Sequence, residues 1–293
     1  MKLKAIKKAI EKVKELPTLP AVANKVNMLL SDPKSSSADL AEIIEFDQSI
    51  TAKILKLINS AFYSLPERVS NIQQAIALLG YKNISNIVLT LSVFDTMNNS
   101  KKSSSRRRGF WIHSIATAII SERIAKEAMY RAADDIFTAG LLHDLGKVFM
   151  DVYLHEEFEK VIETAHQSDT SFFEAERLLF DVDHAMMGEW ITRMWKLPIH
   201  VVAVIKHHHQ EYAQRSGYAV SSDTTIDVVR LSDILVRRAG CGENGDGKQY
   251  VPQLSEDLFR RLPISENDTG RILKDLKTDL KNSETLLNFA TGV

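Results

Sequence analysis

Ile136-Phe137-Thr138-Ala139-Gly140-Leu141-Leu142-His143-Asp144-Leu145-Gly146-Lys147 is an apolar run that carries a histidine and an aspartate where a core would otherwise continue. Read as a helix, it places His143 on the face of Ile136, Ala139 and Gly140, pointing inward. Asp144 lies one turn beyond Gly140, a residue that lets another backbone come close. Adjacent helix positions differ by about 100° in direction, so both side chains can reach a centre lying between them. An aspartate held near the core of a helical protein needs a cation or several donors, and a metal answers that need. Lys147, one turn after His143, reads either as a point charge for an anion in the site or as a solvent-facing lysine at a helix end. Gly146 is expected to loosen that end.

Working outward, the same residue types recur along the second half of the chain: His113, His184, the run His207-His208-His209, and Asp233. His113 shares a helical stripe with Ala116, Ile120 and Ile124 and should face inward. A lone histidine on such a face is ordinarily a hydrogen-bonded core residue. Here six of the nine histidines belong to the series, and only His155, His166 and His200 lie outside it. Imidazole nitrogens with carboxylate oxygens suit borderline divalent metals such as iron, manganese, zinc or cobalt. A metal in such a site can turn water into a nucleophile at neutral pH.

Leu141-Leu142-His143-Asp144-Leu145-Gly146-Lys147 resembles the signature of the HD superfamily of metal-dependent phosphohydrolases. Further words narrow the resemblance to the HDOD subfamily, related to the HD-GYP domains that degrade cyclic di-GMP. They are Leu16-Pro17-Thr18-Leu19-Pro20; Asp32-Pro33 with Asp39-Leu40-Ala41-Glu42-Ile43-Ile44; Asn59-Ser60-Ala61-Phe62-Tyr63; Ala75-Ile76-Ala77-Leu78-Leu79-Gly80; and Asp183-His184-Ala185-Met186-Met187-Gly188 followed by Trp195-Lys196-Leu197-Pro198. Each word is weak; their number and order from about residue 15 to 240 carry the likeness.

The resemblance implies an all-α, two-lobed protein with an HD-type metal site. It puts the first ligand histidine on His113, the dyad on His143 and Asp144, and the closing aspartate on Asp233. His184 and a His-His pair match the extra ligands of two-metal relatives. Three consecutive histidines leave that pair ambiguous, and aligning Ile205-Lys206-His207 with the family's Ile-Arg-Tyr selects His208 and His209. The implied cofactors are two divalent ions, iron or manganese ahead of zinc, cobalt or magnesium, with Asp144 able to bridge them. The implied role is that of a bacterial signal-transduction module; the alternative is an active phosphohydrolase acting on the phosphodiester or phosphomonoester of a nucleotide or cyclic dinucleotide, with Asp144 and Lys147 in its chemistry. Two departures stand out. Asp47-Gln48 replaces the usual Asp-Pro, and of the Gly-Tyr-Pro word only Ser216-Gly217-Tyr218-Ala219 remains, which counts against HD-GYP-type hydrolysis.

Composition is compatible with this reading. The 293 residues are 44% hydrophobic with net charge −1, as in a soluble globular protein, and give no global reason to expect nucleic acid. Twelve glycines and seven prolines favour long helices, and the single Cys241 fits a reducing cytosol. No apolar run reaches transmembrane length, so a cytoplasmic location is expected. The expected division is an N-terminal helical lobe (residues 1–100), a basic linker or loop (101–108) and an HD-like lobe with C-terminal helices (109–293). Leu3, Ile6, Ile10 and Val13 predict a lysine-rich amphipathic helix docked on the domain. Lys101 to Arg108 holds five basic residues, read as a solvated linker rather than a phosphate patch. Residues 240–247 read as a flexible surface turn. Expected partners are a signalling protein or a nucleotide-like phosphate ligand.

Overall fold

The computed structural model describes residues 16–98, 106–130, 133–217 and 222–293. The expected N-terminal amphipathic helix, residues 101–105 of the basic run, and Tyr218 and Ala219 lie outside them. Among the described residues the chain is all-α, with no strand. Its described residues divide into two compact units, one of 17–98 with 277–293, the other of residue 16 with those between 106 and 276.

The first unit starts with α1 (Ala21–Ser31), α2 (Ser37–Glu45) and α3 (Gln48–Ile58). Local chemistry sets their ends. Ser36 and Asp39 form a reciprocal capping box at α2. Asp47 accepts the amides of Ser49 and Ile50 at 3.1 Å, which makes Gln48 the first helical residue of α3. That is the position where proline is favoured, so the Asp47-Gln48 departure is a local change at a helix start. Helices α4 (Ile72–Leu79) and α5 (Tyr81–Asn98) meet at a 118° bend. Helix α5 is buried nearly all round, from Ile84 to Met97. No single helix among the described residues is long and apolar enough to cross a membrane.

The C-terminal helices differ from the expected division. The boundary falls at the start of α16 (Leu276–Asn282), and α17 (Glu284–Thr291) packs on α5 and α3. Leu286, Leu287 and Ala290 are buried, and Asn98 donates to the Phe289 carbonyl at 2.9 Å. The apolar stripe of the tail completes the first unit's core instead of extending the histidine unit.

The histidine unit holds α6 (Arg107–Glu127), α7 (Ala133–Leu142), α8 (Leu145–Tyr153), α9 (His155–Ser168), α10 (Phe172–Leu179), α11 (His184–Met194), α12 (Ile199–His207), α13 (Asp223–Arg238), α14 (Glu256–Arg261) and α15 (Thr269–Leu273). Helix α6 is central, packed by α7 and α13, while α11 lies on α8 and α12. The basic run is not a linker through to Arg108. Arg107 opens α6, is 5% exposed, and pairs its Nε with Asp151 at 3.2 Å.

Candidate metal centre

The run that opened the sequence reading is not one helix. Helix α7 stops at Leu142, His143 and Asp144 form the turn, and α8 starts at Leu145. The break lets both side chains aim at one interior point without the angular compromise of a continuous helix. Gly146, expected to loosen a helix end, has a different function. It sits in the first turn of α8, where a Cβ would land on the backbone carbonyl of His184. Its missing side chain lets α8 touch the start of α11, and this brings His184 beside Asp144.

The seven side chains named from sequence converge. His113 comes from α6, His143 and Asp144 from the turn, His184 from the first residue of α11, His208 and His209 from just beyond α12, and Asp233 from α13. One group of potential ligand atoms combines His113, His143 and Asp233, a second combines Asp144, His184, His208 and His209, and within each the atoms lie within 4.8 Å of one another. Asp144 stands between them. Its Oδ2 is 3.4 Å from His143 Nε2 and 3.8 Å from His113 Nε2. Its Oδ1 is 3.2 Å from His184 Nε2 and 3.5 Å from His208 Nε2. His207 does not join them: its Nδ1 bonds Gln210 at 2.6 Å. Of the histidine run, His208 and His209 face the cluster.

The imidazoles are steered from behind. His143 Nδ1 donates to the Gly140 carbonyl at 2.7 Å, His208 Nδ1 to the Ile205 carbonyl at 2.9 Å, and His184 Nδ1 to Glu176 Oε2 at 2.6 Å. Each bond fixes the tautomer and leaves Nε2 facing the cluster. Nε2 of His143 and His208 and Oδ1 of Asp144 are buried there with no hydrogen-bond partner among the described residues. His184 and His209 bring their Nε2 atoms to 2.9 Å of each other. Buried lone pairs converging in this way need a shared proton or a cation. The donor set, imidazoles and carboxylates alone, suits borderline divalent ions, so the residues fit such a group.

The electrostatics point the same way. Burial opposes ionisation of Asp144, but Lys147 and the surrounding imidazoles outweigh it and hold the carboxyl well below the usual range. Burial likewise opposes Asp233, and Arg237 with His113 and His143 holds it well below the usual range. Burial pushes His208 down to about 4, which leaves a neutral ligand at physiological pH. His143 and His184 go the other way. Burial would lower both, yet Asp144 and Asp233 raise His143, and Glu176 raises His184 to about 9.

Several residues around the cluster escaped the sequence reading. Glu176 is fully buried in α10. Arg237, one turn after Asp233, pairs with it at 3.3 Å and bonds Asp246 through Nε at 2.8 Å. Asp246 accepts the Phe172 amide at 2.8 Å, tying α13 to the start of α10. Residues 240–247, expected as a flexible surface turn, are a fitted wall. Gly242 has φ +77, and a Cβ there would collide with the backbone of His113 and Gly109. The Asn244 carbonyl accepts from Lys147 at 3.2 Å. Lys147 is 4% exposed and also bonds Asp144 Oδ2 at 2.8 Å, so it is neither solvent-facing nor uncommitted.

A cavity of about 950 Å³ opens on the cluster at His208, His209 and Asp233, with Phe173, Arg177 and Tyr250 in its walls. Phe173 stacks on His209, ring centroids 4.5 Å apart, and Arg177 lies over Phe173 at 5.7 Å. The volume falls within the range of small-molecule sites, about 300–1,000 Å³.

Comparison with known proteins places the chain in a family and a fold. An HDOD domain protein of unknown function from Geobacter sulfurreducens has a TM-score of 0.78 at 25% identity, covering 98% of this chain and 97% of its own. A structure from Marinobacter aquaeolei VT8, provisionally named a signal transduction protein, has a TM-score of 0.76 at 16% identity and covers 99% of this chain and 66% of its own. An uncharacterized protein of Treponema pallidum (strain Nichols) is 24% identical over 277 residues, 94% of this chain and 52% of the relative. This chain therefore spans about half the length of that curated relative. The HDOD domain model matches residues 16–211, a stretch that includes every histidine of the cluster and stops short of Asp233. With that match spanning more than half of its length, the chain belongs to the HDOD domain family.

Proposed function

We propose that this chain is a bacterial signal-transduction protein whose histidine unit binds two divalent cations and, at the adjoining cavity, a phosphate-bearing ligand. The observation that carries this reading is Asp144, which turns one carboxylate oxygen toward each of two histidine groups. His113, His143 and Asp233 would hold one ion and His184, His208 and His209 the other, with Asp144 shared. Iron or manganese fits this nitrogen-and-oxygen set. The provisional signalling name of the Marinobacter relative and the eroded Gly-Tyr-Pro word support a regulatory role.

Phosphohydrolase activity is the second reading, favoured by the cavity opening on the cluster. Bound divalent ions would supply Lewis acidity and a more acidic water at neutral pH. The chain's own residues orient the site. Lys147 and Arg237 hold Asp144 and Asp233 ionised, and the backbone carbonyls behind His143 and His208 fix their tautomers. Lys147 is held on Asp144, so its contribution to hydrolysis runs through that carboxylate; of the arginines lining the cavity, Arg230 pairs with Glu211 and Arg237 with Asp233 and Asp246, and Arg177 is placed to meet a ligand phosphate.

Elemental analysis of protein purified anaerobically without chelator, beside His143→Ala and Asp144→Ala, tests the proposal. Two equivalents of iron or manganese in the wild type, lost in Asp144→Ala, are expected. No metal after reconstitution would sink both readings. Turnover of a chromogenic phosphodiester by the loaded wild type, absent in Asp144→Ala, would move hydrolysis ahead of regulation.

A further inference from the structure

We propose that Glu176 is a positioning residue on which filling of one cation site depends, the site of Asp144, His184, His208 and His209, while the other site does without it. The inference rests on the two-cation reading above. Glu176 and His184 are both fully buried, and their 2.6 Å bond puts a carboxylate behind His184, on the side away from the cluster, where His143 and His208 are held by neutral backbone carbonyls.

Two consequences follow. The bond holds the proton on His184 Nδ1 and turns Nε2 toward Asp144 Oδ1 and His209; a cation bound there takes the place of the Nε2 proton. The bond also puts a second negative charge behind this group alone. Behind the other group stands the opposite charge, since Arg237 lies 3.3 Å from Asp233. The two sites share Asp144 with its Lys147, and differ in that a carboxylate stands behind one and a guanidinium, itself bonded to Asp246, behind the other. In a dry interior that difference acts with little screening. Oε1 of Glu176 has no hydrogen-bond partner among the described residues. A buried carboxylate with half its acceptors unused costs stability unless a charge nearby compensates, and a cation on His184 is that charge.

An ion pair that only clamped α10 to α11 would alter stability and leave the metal count alone. Manganese titration therefore separates the roles, using the wild type, Glu176→Gln, His184→Ala and the double variant, each counted by elemental analysis after gel filtration. Glu176→Gln keeps the volume and an acceptor for His184 Nδ1, so it tests the charge without emptying the core. It should bind its first manganese as the wild type does and its second about 10–100-fold more weakly, the usual cost of losing a partner behind a ligand. The double variant should bind no worse than His184→Ala, because both changes act through one imidazole. Equal weakening of both ions, no weakening, or a further additive loss in the double variant overturns the inference while the two-cation reading stands. A wild type that binds fewer than two ions removes that reading and this inference together.

Discussion

The two units solve the same packing problem with different materials. In the first, every buried polar residue described is neutral: Asn27, Ser85, Asn86, Thr90, Ser92, Thr96 and Ser283. Its charged pairs, such as Lys53 with Asp95, stay partly exposed. The histidine unit buries Arg107, Asp144, Lys147, Asp151, Glu176, Asp227 and Asp233 together with five histidines. Burying charge is expensive and replacing paired charges by apolar groups is often neutral or stabilising, so stability does not explain this investment. Arg107 and Asp151 pair with each other and Asp227 pairs with Arg215 and Arg261, while Asp144, Lys147, Glu176 and Asp233 surround the histidine cluster. The first unit is a core in the ordinary sense; the second encloses a polar cluster.

Removing the cations is the sharpest way to break the comparison. A ligand present at 1,000 times its Kd stabilises the folded state by about 4 kcal/mol. Chelation should therefore speed hydrogen exchange in α6, α7, α11 and α13 and leave α1 to α5 unchanged. Asp144→Asn should reproduce the chelated pattern and abolish the metal response. Uniform loss of protection along the whole chain would mean that the contrast between units has no energetic content.

The complementary change lies in the first unit. Phe94 is fully buried in α5. Phe94→Ala should cost about 3–5 kcal/mol, the range for aromatic truncation in a core. Metal stoichiometry of the folded fraction should stay at the wild-type value. A drop in metal content on this substitution would show that the units are not energetically separable.

Gly146→Ala tests how backbone packing builds the site. The added methyl meets the His184 carbonyl, so α8 and α11 must separate. Overpacking of this kind costs about 1–3 kcal/mol. Because the displaced backbone belongs to His184, metal affinity should fall as well, unlike the result at Phe94. A stability loss with unchanged metal binding would place the control of His184 elsewhere.

Much of this was legible in the sequence, and the gaps have physical causes. The ordered histidines and aspartates pointed to the cluster through their likeness to the HD pattern, since a lone inward-facing histidine reads as a hydrogen-bonded core residue. The continuous helix through Asp144 was misread because an apolar run gives no sign of where it breaks, and neither glycine nor proline marks the turn at His143. Glu176 carries no signal of its own in Phe172-Phe173-Glu174-Ala175-Glu176-Arg177; only the docking of α10 buries one of the two glutamates. Arg237 carried a signal that could have been used, since its spacing of four from Asp233 predicts a pair on one helix face. Asp246 and Asn244 carried none, because their roles depend on a loop returning to α10 and α8. The C-terminal helices were assigned by chain order to the histidine unit, while their apolar stripe is complementary to α5.

The finest version of the comparison uses one motif found in both units. Ser36 with Asp39 caps α2, and Ser171 with Glu174 caps α10; each serine also accepts the amide of its acidic partner, at 3.2 and 3.1 Å. Removing such a cap by Ser→Ala costs typically about 1 kcal/mol. The Ser36 hydrogen bonds hold the Asp39 carboxyl below its usual value, and the Thr170 and Ser171 hydrogen bonds do the same for Glu174. A depressed folded value means that the contribution is present above the unfolded value, near pH 4, and is lost as pH falls through the folded value. Both Ser→Ala effects on thermal stability should therefore be seen at neutral pH and shrink at pH 3. What separates the two is position. Ser171 starts the helix that carries Glu176 toward His184, so Ser171→Ala should also weaken metal binding, by less than Glu176→Gln does; Ser36→Ala should leave it untouched. Equal metal affinity in the two serine variants would mean that the start of α10 can fray without moving Glu176, and that the bond to His184, not the cap, fixes that helix in place.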